Sequence, residues 1–148
     1  ATMRRILTLL PLSVLFALAG CGGGGASVSL DGKLVPPVGF ALAPTDNIEV
    51  QFIPAGIKNA RDTAGGASRV FEGKDQGFTI DKIKPGKYKV AVKITPYAGM
   101  PESAARTRAL EPVNSGNSEH QTKLFYEVGT EAKQSVTVDL ATSTVTKR

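Results

Sequence analysis

Residues 87–95 constrain the fold more than any other part of the sequence, because large apolar side chains occupy every second position along them. Successive side chains of a β-strand point to opposite faces of the sheet, so this pattern predicts a strand with one buried and one solvated face. The residues of the predicted solvated face are Lys87, Lys89, Ala91 and Lys93, and those of the predicted buried face are Tyr88, Val90, Val92 and Ile94.

Five shorter segments alternate in the same way and predict further strands, and residues 68–72 are interpreted as a sixth short strand. Turn-forming residues separate them: Asp31-Gly32 predicts a turn after the first strand, Pro85-Gly86 a turn before residues 87–95, and residues 129–133 a hairpin loop between the last two strands. About seven short strands joined by turns favour an all-β, antiparallel sandwich. The six segments are 28–30, 48–53, 68–72, 78–81, 123–128 and 134–140.

Residues 96–121 fit this pattern poorly, because they carry three prolines and many polar side chains. A loop of this length is unusual in a compact domain. Good helix formers are concentrated in residues 102–110, so we expect a short helix there within an otherwise irregular segment.

The N-terminal segment has the layout of a secretory signal. Arg4 and Arg5 precede a run of 14 almost wholly apolar residues, 6–19, which Pro11 interrupts and small residues follow. The run is shorter than the roughly 20 residues that a membrane-spanning helix needs. It therefore favours an export signal over a permanent transmembrane helix.

Leu18-Ala19-Gly20-Cys21 resembles the lipobox of bacterial lipoproteins, which implies removal of residues 1–20 and a diacylglycerol on the thiol of Cys21. The alternative is an ordinary signal peptide followed by an incidental cysteine. Cys21 is the only cysteine, which favours lipidation and excludes an internal disulfide. The expected organisation is a lipidated cysteine with a glycine tether over 21–26, a sandwich over 27–142 and a tail over 143–148.

Loss of the signal changes the charge of the protein. The formal net charge of the whole chain is +5, and removal of Arg4 and Arg5 leaves +3. Much of the apparent basicity therefore belongs to the signal or to Lys147-Arg148 in the tail. An exported protein does not meet DNA, so no nucleic-acid partner is expected.

Residues 75–90 have the sequence Asp-Gln-Gly-Phe-Thr-Ile-Asp-Lys-Ile-Lys-Pro-Gly-Lys-Tyr-Lys-Val. They resemble the signature of carboxypeptidase-regulatory-like domains, and residues 30–37 and 47–54 are similar to the first two strands of these domains. The resemblance implies a Greek-key sandwich of the transthyretin (prealbumin) type and an accessory, non-catalytic role. The chain departs from the pattern at residues 34–44, where the insertion is longer and more apolar than is usual in these domains.

The sequence offers little to an enzymatic interpretation. His120 is the only histidine and lies in a polar segment, so we expect a solvated loop side chain, although a triad with Ser118 and an acid can be drawn. Asp75 flanks a loop, but no run typical of a calcium loop is present. No catalytic residue, metal site or cofactor is expected.

We therefore expect a lipid-anchored module of the bacterial cell envelope, facing the periplasm or the exterior. Its partners would be the membrane, through Cys21, and an envelope protein or polysaccharide. The alternative is a carbohydrate-binding module, for which Tyr97 is the candidate ligand-binding ring, although packing of its loop onto the sandwich is the favoured interpretation of this residue. The lysines near residues 84–93 could face anionic headgroups, but a solvated strand face is the favoured interpretation.

Overall fold

Two four-stranded β-sheets and one helix make up the structure, a computed structural model that describes residues 25–57, 65–99 and 101–148. The predicted all-β sandwich is confirmed, with eight strands in place of about seven. In chain order the elements are β1 (Val28–Val35), β2 (Asn47–Pro54), β3 (Ala67–Glu72), β4 (Gly77–Ile83), β5 (Gly86–Thr95), α1 (Ser103–Gly116), β6 (Phe125–Val128), β7 (Lys133–Asp139) and β8 (Thr144–Lys147).

The strand orders are β4-β1-β7-β8 in one sheet and β3-β2-β5-β6 in the other. The chain therefore passes repeatedly from sheet to sheet, as in a Greek-key sandwich. Every pairing is antiparallel except that of β1 with β7, which is parallel. The predicted hairpin over residues 129–133 is wrong: β6 pairs with β5 and β7 with β1, so these residues connect the two sheets instead.

The predicted turn at Asp31-Gly32 is also wrong, because both residues lie inside β1. Gly32 is opposite Phe78 in the neighbouring β4, and a Cβ atom at Gly32 would lie 2.0 Å from the Phe78 ring. The glycine is therefore present to make room for an aromatic side chain across the strands, and the turn propensity of the dipeptide is overridden by this packing.

Residues 143–148 were expected to form a tail, but they contain β8, which pairs with β7. Val145 packs against the core, and the backbone N–H of Arg148 donates to the carbonyl of Ser135 at 2.7 Å. β8 carries one apolar residue among polar ones, so its pairing depends on β7 rather than on its own sequence pattern.

The core lies between the two sheets and is built from the alternating residues that the sequence indicates. Phe52 contacts the rings of Phe78 and Tyr88 at centroid distances of 6.3 and 6.2 Å, and Phe78 stacks on Phe71 at 5.7 Å. The buried side chains include Val28, Leu30, Leu34, Val136 and Val138 from one sheet, Ile48, Val50, Phe52, Val90, Ile94 and Val128 from the other, and Leu124 just before β6.

The helix α1 is longer than the predicted helix over 102–110. It continues through Pro112 to Gly116, although Pro112 removes one helical N–H donor. The long irregular segment expected between β5 and β6 is thus largely helical. No helix in the described ranges is both long enough and apolar enough to cross a membrane.

Candidate functional site

The chain that follows β5 returns to β5 and bonds to the edge that β2 does not occupy. β6 pairs only with the first four residues of β5, from Gly86 to Lys89. Beyond them, the N–H of Val90 donates to the carbonyl of Leu124 at 2.9 Å, and the Thr122 hydroxyl donates to the carbonyl of Val90 at 2.7 Å. The N–H of Val92 donates to the carbonyl of Asn117, also at 2.9 Å. The chain after α1 thus takes the place of a longer edge strand.

Asn114, within α1, bonds to Ile94, the next residue along the same edge of β5. Its side-chain oxygen accepts from the N–H of Ile94, and its side-chain nitrogen donates to the carbonyl of Ile94, both at 2.8 Å. An unpaired strand edge is a template for association with another strand, so α1 and the residues after it protect this edge.

The N-terminal half of α1 is held by an ion pair between Arg106 and Asp46. Asp46 is 1% exposed, and its carboxylate accepts from the Nε–H of Arg106 at 2.9 Å and from a terminal guanidinium nitrogen. Arg106 also donates to the carbonyl of Ala41 and stacks on the Phe40 ring, 4.8 Å from its centroid. The hydrogen bond to Asp46 raises the pKa of Arg106 above its ordinary value. This contact joins α1 to the segment between β1 and β2.

A groove of about 610 Å³ lies between α1 and the outer faces of β2 and β5. Its floor includes Glu49, Ala91 and Lys93, and Glu111 and Glu119 lie on the helix side. Ala91 is 6% exposed, so its expected position on a solvated face is wrong, because α1 covers this part of β5. The carboxylates outnumber the single lysine, which suits a partner rich in hydrogen-bond donors or positive charge.

Tyr97 lies just after β5, at the edge of a shallow hollow of about 210 Å³ that Thr45, Asn47 and Glu72 also line. The residue is 55% exposed. A Cβ atom at Gly99 would be 2.6 Å from the ring, so the ring lies directly against this glycine. Tyr97 therefore presents an accessible ring beside three polar side chains.

His120 and Ser118 are not connected by the hydrogen bonds that a nucleophilic triad requires. The Ser118 hydroxyl donates to the carbonyl of Ser115 at 2.8 Å, whereas the His120 ring, 75% exposed, is 3.0 Å from the carboxylate of Glu119. Across residues 25–57, 65–99 and 101–148, no group of three or more His, Cys, Asp or Glu side chains is placed to hold a metal ion. Cys21, the expected lipidation site, lies outside the described residues.

The residues that organise this site were not singled out from the sequence. Asn114 contributes its side-chain amide, but Asn117 contributes its backbone carbonyl, which no pattern of side chains predicts. Asn114 was missed because the predicted helix ended before Pro112. Asp46 and Arg106 are 60 residues apart in the chain, and no local pattern predicts their contact.

No family model matches this chain, and no curated protein or solved structure shows detectable similarity to it.

Proposed function

We propose that the protein is an exported, lipid-anchored β-sandwich with a structural or protein-interaction role at the cell envelope, and that it performs no catalysis. The observation that carries the proposal is the order of segments in the chain. An export-type apolar run ends at the sole cysteine, Cys21, four glycines follow, and β1 begins at Val28. A lipid on Cys21 would hold the sandwich next to a membrane through a short tether.

The resemblance of residues 75–90 to carboxypeptidase-regulatory-like domains supports an accessory role. The resemblance assigns core positions to Phe78, Ile80 and Ile83, and each of these side chains is at most 6% exposed. Tyr88, which the resemblance places at the start of a buried face, is 3% exposed. The groove along α1 supplies a surface that an envelope partner could contact.

Membrane fractionation of bacteria that express the full chain tests the anchor. We expect the wild-type protein in the membrane fraction and Cys21→Ser released into the periplasm or medium, or retained as an uncleaved precursor. Ser27→Ala, a substitution six residues further along the chain, should fractionate like the wild type. An identical distribution of Cys21→Ser and wild type, with the signal removed from both, would refute the lipid anchor.

A carbohydrate-binding module is the second candidate, and the exposed ring of Tyr97 beside Asn47 and Glu72 supports it. Polysaccharide pull-down followed by Tyr97→Ala tests this function. Phe125→Ala is a matched control, because Phe125 is 54% exposed and lies on β6, away from the hollow beside Tyr97. Binding that is lost only with Tyr97→Ala would favour this candidate, and binding that neither variant changes would exclude Tyr97 as its site.

A further inference from the structure

The sandwich has one end at which the chain arrives from Cys21, here called the tether end. Its described residues are 25–29, 54–57, 65–67, 82–87, 127–134 and 146–148. These ranges meet because β1, β3, β5 and β7 begin there and β2, β4, β6 and β8 finish there, as the registers Val28 with Ile83, Pro54 with Tyr88, Gly86 with Val128 and Val136 with Lys147 show.

Charge is segregated between the two ends of the sandwich. Among its described residues, the tether end carries six basic side chains and two acidic ones, Glu127 and Glu131. The opposite end, made by residues 36–46, 72–76, 96–102 and 139–143, carries one basic and five acidic side chains. The basic set of the tether end consists of Lys82, Lys84, Lys87, Lys133, Lys147 and Arg148.

Three of these lysines are available to a partner. Lys82, Lys84 and Lys87 lie around the turn between β4 and β5, are exposed, and form no ion pair among the residues that the structure describes. The neighbouring Lys133 and Lys147 are paired with Asp31 and Glu131, respectively. The turn thus concentrates three free positive charges at the end that a lipid on Cys21 would hold closest to the bilayer.

The tether is short enough for the membrane to act on these charges. Six residues separate Cys21 from Val28, and a chain of six residues spans at most about 20 Å. The potential of an anionic surface acts over a Debye length of about 8 Å at physiological ionic strength, and the reach of this segment does not keep the lysines outside that range.

We propose that the tether end lies against anionic lipid headgroups, with Lys82, Lys84 and Lys87 as the contacting side chains; this inference rests on the lipid anchor proposed for Cys21. The sandwich then stands upright on the membrane. Because β5 has ten residues, the acidic end and the start of α1 lie about 30 Å further from the headgroups. That end and Tyr97 are thereby presented away from the bilayer.

The test supplies the anchor chemically. The mature chain from Cys21 is coupled through its thiol to a maleimide lipid in vesicles, made either of phosphatidylcholine alone or with 30% phosphatidylglycerol. The rate of acetylation by a water-soluble ester is then measured for each lysine by mass spectrometry. An anionic surface slows the reaction of nearby amines, because it stabilises their protonated form and covers them.

We expect Lys82, Lys84 and Lys87 to react about threefold more slowly on anionic than on neutral vesicles, and to recover in 0.5 M salt. Lys74, at the opposite end, and Lys93, on the outer face of β5, should react equally on both. Equal rates at the three lysines on both vesicles, or equal slowing of all lysines, would overturn the proposal. Since the anchor is attached in vitro, an unmodified Cys21 in cells would refute the proposed anchor without altering this measurement.

The triple variant Lys82→Gln, Lys84→Gln, Lys87→Gln provides a second readout. We expect the anionic lipid to slow Lys133 and Lys147 less in this variant than in the wild type, because the end is held less firmly. The variant Lys74→Gln, Lys93→Gln, Lys123→Gln removes the same charge elsewhere and should behave like the wild type. Equal behaviour of the two triple variants would contradict the role of the turn.

Discussion

Asn114 and Ile94 are joined by two hydrogen bonds of 2.8 Å that run in opposite directions between one side-chain amide and one backbone unit. The amide thereby imitates the backbone of a neighbouring strand. Since Ile94 is 1% exposed, its backbone groups have no ready replacement partner in water. A single side chain on α1 thus completes the sheet where β6 no longer reaches.

Asn114→Ala should destabilise the fold, because it leaves a donor and an acceptor of Ile94 unpaired. We expect a loss of about 1–3 kcal/mol in the free energy of unfolding, measured by urea denaturation. Ser115→Ala, the adjacent helical position, should change it by less than about 0.5 kcal/mol. Equal stabilities of Asn114→Ala and Ser115→Ala would show that water replaces the amide at this edge.

Arg106→Met should destabilise the protein, because the buried carboxylate of Asp46 loses its counter-charge while much of the packing on Phe40 is kept. We expect the free energy of unfolding to fall by about 3 kcal/mol. This is the lower end of the range for breaking a buried ion pair, because Arg106 is partly exposed in the folded protein. The double variant Asp46→Asn, Arg106→Met should recover part of this loss. A double variant as unstable as the sum of the single variants would contradict coupling between the two residues.

Gly73→Ala should be poorly tolerated, because the added Cβ would lie 2.1 Å from the backbone oxygen of Ala43. We expect a loss of about 2–3 kcal/mol, as for other overpacked sites. Gly116→Ala is the matched control: nothing lies within 4 Å of its Cβ, and alanine at the end of α1 should stabilise by about 0.5 kcal/mol. Thermal denaturation distinguishes the two, and a Gly73→Ala variant as stable as Gly116→Ala would refute the close approach.

Alkaline pH should destabilise the sandwich through Tyr88. Burial raises the pKa of the Tyr88 phenol, whose O–H donates to the carbonyl of Lys84 at 2.8 Å. As the pH rises, the unfolded chain therefore releases this proton at a lower pH than the folded protein does. The contribution of the Tyr88 phenol to the free energy of unfolding is fully present below the ordinary tyrosine pKa of about 10 and is lost as the pH rises above it.

Urea denaturation between pH 8 and pH 11 measures this effect. Tyr88→Phe should lower the free energy of unfolding at pH 8 by about 1 kcal/mol and make it fall less steeply towards pH 11. Tyr97→Phe, which alters an exposed ring, should keep the wild-type slope. A Tyr88→Phe variant with an unchanged slope would contradict this source of alkaline sensitivity.

The regular part of the fold could be predicted from the sequence because its signals are local. Alternation over residues 87–95 identifies β5, and the same pattern identifies the buried residues of β2 and β7. The segments predicted wrongly depend on distant partners: Asp31-Gly32 stays extended because Phe78 lies across from it, and β8 forms because β7 offers a free edge.

The candidate site was less predictable for the same reason. The sequence favours packing of the Tyr97 loop onto the sandwich over an exposed ring, whereas the structure leaves the ring exposed. The groove could not be foreseen, because its shape requires that α1 lie along β5, and this depends on the contacts of Asn114 with Ile94 and of Arg106 with Asp46. Neither pair has a local sequence signal, and Pro112 is locally a signal that the helix ends.

The central claim, a sandwich anchored by a lipid on Cys21, is tested most directly by mass spectrometry of the N-terminal peptide of protein extracted from bacterial membranes. The account predicts that this peptide begins at Cys21 and carries a diacylglyceryl group on sulfur. An unmodified Cys21, or a mature N-terminus at any other residue, would contradict it.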